Sequence, residues 1–191
     1  RQRCCAKLLF GSAGSTPTRQ MQKSEQKSST TSHSVQMDIA DIISPQAVFH
    51  GLKAANKKKL IAELAGYGAA VAGLDEGRVF DSLWEREKLN STGVGNGVAV
   101  PHARVVKLEK IVGLFAQLDS AIDFESIDEA PVDLAFVLLT PADAGADHLK
   151  ALARVSRLMR NAAVCEKLRA ASDKAQLYAL LTEPTAGVQA A

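Results

Sequence analysis

Apolar residues recur along this chain with two periods, and the switches between them mark its elements. Ala47–Leu52 (AVFHGL) reads as a short strand, set off from Ile39, Ile42 and Ile43 by Ser44-Pro45, a turn signal. Leu60, Ile61, Leu64, Ala65, Val71 and Ala72 then fall at helical spacing behind Asn56, a suitable N-cap, and Gly73 closes that helix. A second helix is predicted over about Asp75–Leu89, with Val79, Phe80, Leu83 and Trp84 as its apolar stripe and Arg86 at the stripe's edge. Short apolar runs follow: a brief strand at Val98-Ala99-Val100, a strand over Ile111–Leu118 and an extended piece at Ala121–Phe124. Val132–Leu139 (VDLAFVLL) is almost continuously apolar, which predicts a central strand covered on both faces and ended by Thr140-Pro141.

Beyond a flexible Ala142–Ala146 linker, His148, Leu152, Val155 and Met159 share one face of a helix starting near Asp147. Asn161 and Ser172 read as N-caps of two shorter helices, Ala162–Ala170 and Asp173–Leu181. Strands interleaved with long helices predict a layered α/β domain.

The ends differ from this pattern. Residues 1–36 read as a disordered basic leader, dense in Ser, Thr, Gln and Lys from Ser12 to Gln36. Their Arg- and Ser-rich, acid-poor character fits an organelle transit peptide; the blander reading is an upstream extension with Met37 as the natural start. The folded domain is expected over 37–183, with a flexible tail at 184–191.

Composition narrows the function. At 47% hydrophobic and 23% charged, the 191 residues suit one soluble globular domain plus an appendage. No apolar run approaches the roughly 20 residues that span a bilayer, so the chain is not expected to be membrane-embedded. Six basic residues and one acidic residue lie in 1–36, leaving 17 basic and 20 acidic residues in the remainder. That remainder is mildly acidic, so no nucleic-acid partner is expected. Three cysteines without a framework suggest a reducing compartment.

Asn90–Arg104 (NSTGVGNGVAVPHAR) carries the densest chemical signal. Gly93, Gly95 and Gly97 alternate, a short apolar run follows, and Pro101 leads to His102 at the strand end. The glycines answer no evident packing need and suggest a loop whose backbone N–H groups approach a ligand. His148 sits in the first turn of its helix, where unpaired N–H groups and the macrodipole favour a bound anion and a neutral imidazole. Arg86 offers a guanidinium fork to phosphoryl oxygens, or else pairs with Glu85 or Glu87 on the helix surface. Both histidines also admit a structural reading, bonded to backbone or packed under the domain. His50, within a short strand, reads as structural, and His33 falls in the leader.

Several chemistries are absent from the sequence. It has no metal-ligand spacing, GxGxxG, P-loop or GxSxG elbow, so neither a metal nor a cofactor is expected. What remains is nucleophilic imidazole chemistry with anion-stabilising neighbours, and phosphoryl transfer onto histidine fits it.

Arg86–Arg104 (REKLNSTGVGNGVAVPHAR) closely resembles the active-site block of phosphotransferase-system (PTS) enzyme IIA domains of the fructose/mannitol type (EIIA type 2), above all their nitrogen-regulatory (IIA-Ntr) branch. Asp147–Asn161 (DHLKALARVSRLMRN) resembles that family's second histidine motif, and the match extends over about Met37–Thr182. The resemblance implies a three-layer α/β/α sandwich with a mixed central sheet. It implies that His102 is the phosphoryl acceptor, as a tele-phosphohistidine, and that His148 and Arg86 stabilise the phosphoryl group. The implied donor is a phosphorylated HPr-like carrier, charged by enzyme I and phosphoenolpyruvate. Ala103 stands where the family more often has glycine.

With no membrane segment and no cysteine-bearing IIB-like loop, the chain suits a cytoplasmic phosphohistidine carrier rather than a turnover enzyme. Its phosphorylation state would be the signal to a transporter or sensor kinase. The alternative is the IIA component of a fructose/mannitol-type uptake system, passing the phosphoryl group to a IIB domain.

Overall fold

The computed structural model describes residues 37–183; the leader and tail expected at 1–36 and 184–191 lie outside the described residues. A one-turn helix, α1 (Ile39–Ile42), runs into β1 (Ile43–Leu52). Two paired helices follow, α2 (Lys57–Ala72) and α3 (Glu76–Leu89), then three short strands, β2 (Gly93–Gly95), β3 (Val98–Ala99) and β4 (His102–Val105). Two long strands, β5 (Val112–Ile122) and β6 (Val132–Pro141), precede α4 (Ala146–Met159), α5 (Ala162–Ala170) and α6 (Lys174–Thr182).

The strands form one sheet in the order β1-β5-β6-β3-β2, with β4 pairing the far part of β6. It is mixed: β5 and β6 are antiparallel, while β1–β5, β3–β6 and β4–β6 are parallel. Every side chain of β6 from Leu134 to Thr140 is fully buried, as its unbroken apolar run predicts for a central strand.

Its two faces serve two helical layers. Leu114 and Leu139 face α2, so closely that a Cβ on Gly68 would lie 2.8 Å from Leu139 and 3.3 Å from Leu114. On the opposite face Thr140 meets α4, and Gln117 Nε2 donates to the Arg169 carbonyl of α5. The result is the three-layer α/β/α sandwich with a mixed sheet that the sequence led us to expect.

Several boundaries differ from the sequence reading. Ser44-Pro45 does not break the chain but lies within β1, at a register shift against β5. Pro45 is exposed there on an edge strand, where a missing N–H removes no ladder bond. The two extended pieces expected at 111–118 and 121–124 join as β5, with an irregular pairing between Gln117 and Ile122. The N-cap of α6 is Asp173 rather than Ser172, because the Asp173 carboxylate accepts the Gln176 N–H. Ala69 is the last buried residue of α2, and Val71 is exposed in its final turn.

Candidate functional site

The buried stripe of α3 is Val79, Leu83 and Glu87, at i, i+4 and i+8, so a carboxylate occupies a core position. Glu87 accepts the Thr92 N–H at 3.1 Å and the Thr92 hydroxyl, and Lys57 Nζ lies 2.8 Å from it. These bonds tie the end of α3 to the turn beyond it. They also settle one alternative: Glu87 pairs with Lys57, not with Arg86.

The glycine-rich stretch is a hairpin. Asn96 and Gly97 both take positive φ, 56° and 75°, between paired residues Gly95 and Val98. This is the two-residue turn that Asn-Gly favours. The expectation that these glycines serve no packing need is corrected here. A Cβ on Gly93 would collide with Ser126 Oγ and lie 2.9 Å from Ser126 Cα, and one on Gly97 would lie 2.6 Å from the Arg169 guanidinium. The turn's backbone is already engaged: the Asn96 N–H donates to Asp128 and the Asn96 carbonyl accepts from Arg169. The hairpin is held as a rigid lead-in to β4 rather than as an open cradle for a ligand.

Pro101 separates β3 from β4, and His102 opens β4 instead of closing the preceding strand. Its Cα partner on β6 is Leu138. His102 Nδ1 lies 3.0 Å from the Val100 carbonyl. A carbonyl only accepts, so Nδ1 carries the hydrogen and Nε2 carries the lone pair. Arg86 Nε donates to that Nε2 at 3.2 Å, while Arg86 Nη1 donates to the Asn90 carbonyl at 3.0 Å. Arg86 comes from the α2/α3 layer and His148 from the α4 layer; they meet at β4, which pairs with β6.

His148 is the third residue of α4 and is buried, with its ring centroid 6.0 Å from that of His102 and the planes 46° apart. Its Nδ1 lies 2.8 Å from Thr140 Oγ1. Burial holds the imidazoles of both His102 and His148 below the ordinary value of 6.5. For His102 the charges of Arg86 and His148 add to this, and the bond to Val100 opposes it. For His148 the nearby Arg104 adds to it. Both rings are thus set to be neutral at neutral pH, as a nucleophile requires.

The structure therefore brings His102, His148 and Arg86 together, and leaves His50 exposed on β1, away from them. Three side chains beside the site were not singled out by the sequence reading. Arg104 stands two residues from His102 on β4, hence on the same face, and alternation could have found it. Glu87 had a signal too, a carboxylate in phase with Val79 and Leu83. Thr140 had none, since Thr-Pro read as a strand end. A shallow hollow lined by Ser82, Glu85, Arg86, Lys88, Leu89 and Arg104 lies beside the site and takes in neither imidazole. Among the described residues no group of three His, Cys, Asp or Glu could hold a metal, and no helix is long and apolar enough to cross a membrane.

Comparison with known proteins places nearly the whole described domain in one family. Residues 41–183 match the family described as phosphoenolpyruvate-dependent sugar phosphotransferase system, EIIA 2. A nitrogen regulatory protein of Bradyrhizobium diazoefficiens is 52% identical over 150 residues, 78% of this chain and 98% of that protein. The crystal structure of nitrogen regulatory protein IIA-Ntr from Neisseria meningitidis aligns with a TM-score of 0.72 at 31% identity, covering 75% of this chain and 99% of that one. A PTS fructose-specific EIIA component of Haloferax volcanii is 39% identical over 116 residues, 58% of this chain and 75% of that protein.

Proposed function

This chain belongs to the phosphoenolpyruvate-dependent sugar phosphotransferase system EIIA 2 family, and on that premise we propose that it is a nitrogen-regulatory IIA protein that takes a phosphoryl group on His102. The observation that carries the reading is the hydrogen bonding of His102, whose Nδ1 lies 3.0 Å from the Val100 carbonyl. With Nδ1–H held by Val100, the lone pair on Nε2 lies beside Arg86 and across from His148.

The transfer is a displacement at phosphorus. His102 Nε2 forms the new N–P bond with its lone pair. The N–P bond to the donor histidine of an HPr-like carrier breaks, and its electron pair returns to that nitrogen. Positive charge develops on the His102 ring as it attacks, and the Val100 carbonyl on Nδ1–H stabilises it. Arg86 must give up its bond to Nε2 for attack to begin. Its fork then serves the equatorial phosphoryl oxygens, where the negative charge lies. The product is a tele-phosphohistidine.

In this reading enzyme I and phosphoenolpyruvate charge the carrier, and the modified protein acts in the cytoplasm on a transporter or sensor kinase according to its phosphorylation state. The extent of the match to nitrogen regulatory proteins favours regulation over sugar uptake: the Bradyrhizobium relative aligns over nearly its whole length at the higher identity. Reconstitution distinguishes the two. The chain is labelled through phosphoenolpyruvate, enzyme I and an HPr-like carrier, then offered a fructose-type IIB domain. The regulator retains its label; rapid passage of the label to IIB assigns the chain to transport instead.

A further inference from the structure

One hydroxyl joins the two histidine-bearing elements. Thr140 is fully buried near the end of β6. Its Oγ1 lies 2.8 Å from His148 Nδ1 and 3.3 Å from the carbonyl oxygen of Ala103, the residue after His102. A threonine hydroxyl has one hydrogen to give and two lone pairs with which to receive, so two arrangements are open to it.

In the first, the hydroxyl donates to Ala103. His148 Nδ1 must then carry a hydrogen toward Oγ1, and a neutral ring is left with a bare lone pair on Nε2. In the second, the hydroxyl donates to His148 Nδ1, and the neutral ring carries its hydrogen on Nε2. The distances choose between them. Both keep the 2.8 Å contact to the ring, so the Ala103 contact decides: at 3.3 Å it is a long, weak bond for a hydroxyl donor, beyond the usual range of about 2.5–3.0 Å, which favours the hydroxyl giving its hydrogen to the ring nitrogen.

We propose that Thr140 is a positioning residue for phosphoryl transfer: its hydroxyl fixes His148 in the Nε2–H tautomer, so that a neutral imidazole offers the phosphoryl group on His102 a hydrogen-bond donor. This rests on His102 being the acceptor. The tautomer decides whether His148 helps or hinders. A neutral ring with hydrogen on Nε2 donates to a phosphoryl oxygen, while the other tautomer turns a lone pair toward it. Both rings are set to be neutral, so the tautomer, not a charge, does the selecting.

The same hydroxyl serves a second state. Once the phosphoryl dianion is in place and His148 takes up a proton, Nδ1–H donates to Oγ1, and Thr140 turns its own hydrogen to the Ala103 carbonyl. Serine retains this exchange; valine, equal in shape to threonine, cannot make it.

The test uses the whole chain labelled with 15N in its histidine rings. Long-range 1H–15N spectra recorded well above pH 6.5, the ordinary histidine value, read the tautomer of His148, assigned by its loss in His148→Gln. Wild type and Thr140→Ser are expected as Nε2–H. A wild-type His148 ring protonated on Nδ1 overturns the proposal, and this needs no variant to fold. Transfer from a phosphorylated HPr-like carrier is then timed. Thr140→Val is expected to be slower by about tenfold, the worth of roughly one hydrogen bond, and Thr140→Ser to stay within about twofold of wild type. Thr140→Val at the wild-type rate, or Thr140→Ser as slow as valine, also overturns it. Because the tautomer is read with no carrier present, failure of the wild type to take label overturns the phosphoryl-transfer reading separately.

Discussion

Arg86 Nε donates to His102 Nε2 at 3.2 Å, and so covers the lone pair with which the imidazole would attack. In the proposed transfer the guanidinium has two duties in sequence. It orients the free ring and lowers its basicity, and it then moves from the nitrogen to the phosphoryl oxygens. Arg86→Ala is expected to raise the His102 pKa, since a neighbouring positive charge is removed. It should also slow phosphoryl transfer by tenfold or more, on the order of one charge-assisted hydrogen bond. An NMR pH titration of the ring and a timed transfer check both. A lower pKa in the variant, or an unchanged rate, contradicts the role.

The buried pair behind Arg86 makes a sharper stability contrast. The Glu87 side chain is 1% exposed and Lys57 reaches it at 2.8 Å; Glu125, the other partner of Lys57, is 77% exposed. Lys57→Met strips the cation from a buried carboxylate and is expected to cost about 3 kcal/mol in urea unfolding. Glu125→Gln removes an exposed partner, for which about 0.5 kcal/mol is expected. Equal losses would contradict the assignment of Glu87 as the buried anchor.

Gly93 tests the packing account of the hairpin. A Cβ there meets Ser126 backbone as well as side chain, so Gly93→Ala is expected to cost about 1–3 kcal/mol. Gly93→Ala with Ser126→Gly should recover only part of this, because the Ser126 Cα remains 2.9 Å from the new methyl. An unaffected single variant would return these glycines to the ligand-approach role that the sequence suggested.

Stability should depend on pH through both histidines. Their native pKa values lie below 6.5. As pH falls through 6.5 the unfolded chain takes up protons that the native rings refuse, so their contribution is complete above that value and declines below it. The decline ends at the native pKa values. Unfolding free energies measured across this range should fall toward acid, and His102→Gln with His148→Gln should flatten that part of the curve. An unchanged slope in the double variant contradicts the shifts.

The sequence disclosed the parts of this protein that depend on period and composition. The apolar run 132–139 announced a central strand, and Asn56 and Asn161 ended up as caps with their side-chain bonds made. The pairing of His102 with His148 could be anticipated from two separated motifs, but their 6.0 Å approach comes from the parallel docking of β4 on β6, which no local pattern encodes. The glycines misled for a related reason. Their need is set by Ser126, Asp128 and Arg169, which lie 30 or more residues away in the chain. Thr140 was illegible because its role comes from one atom between two others, a relation that residue type alone does not carry.

The most direct measurement labels the chain through phosphoenolpyruvate, enzyme I and an HPr-like carrier and compares wild type with His102→Ala. The account predicts acid-labile, base-stable label on wild type, placed on the tele nitrogen of His102, and none on His102→Ala. His148→Ala should still take label, more slowly. Label persisting on His102→Ala would contradict the central claim.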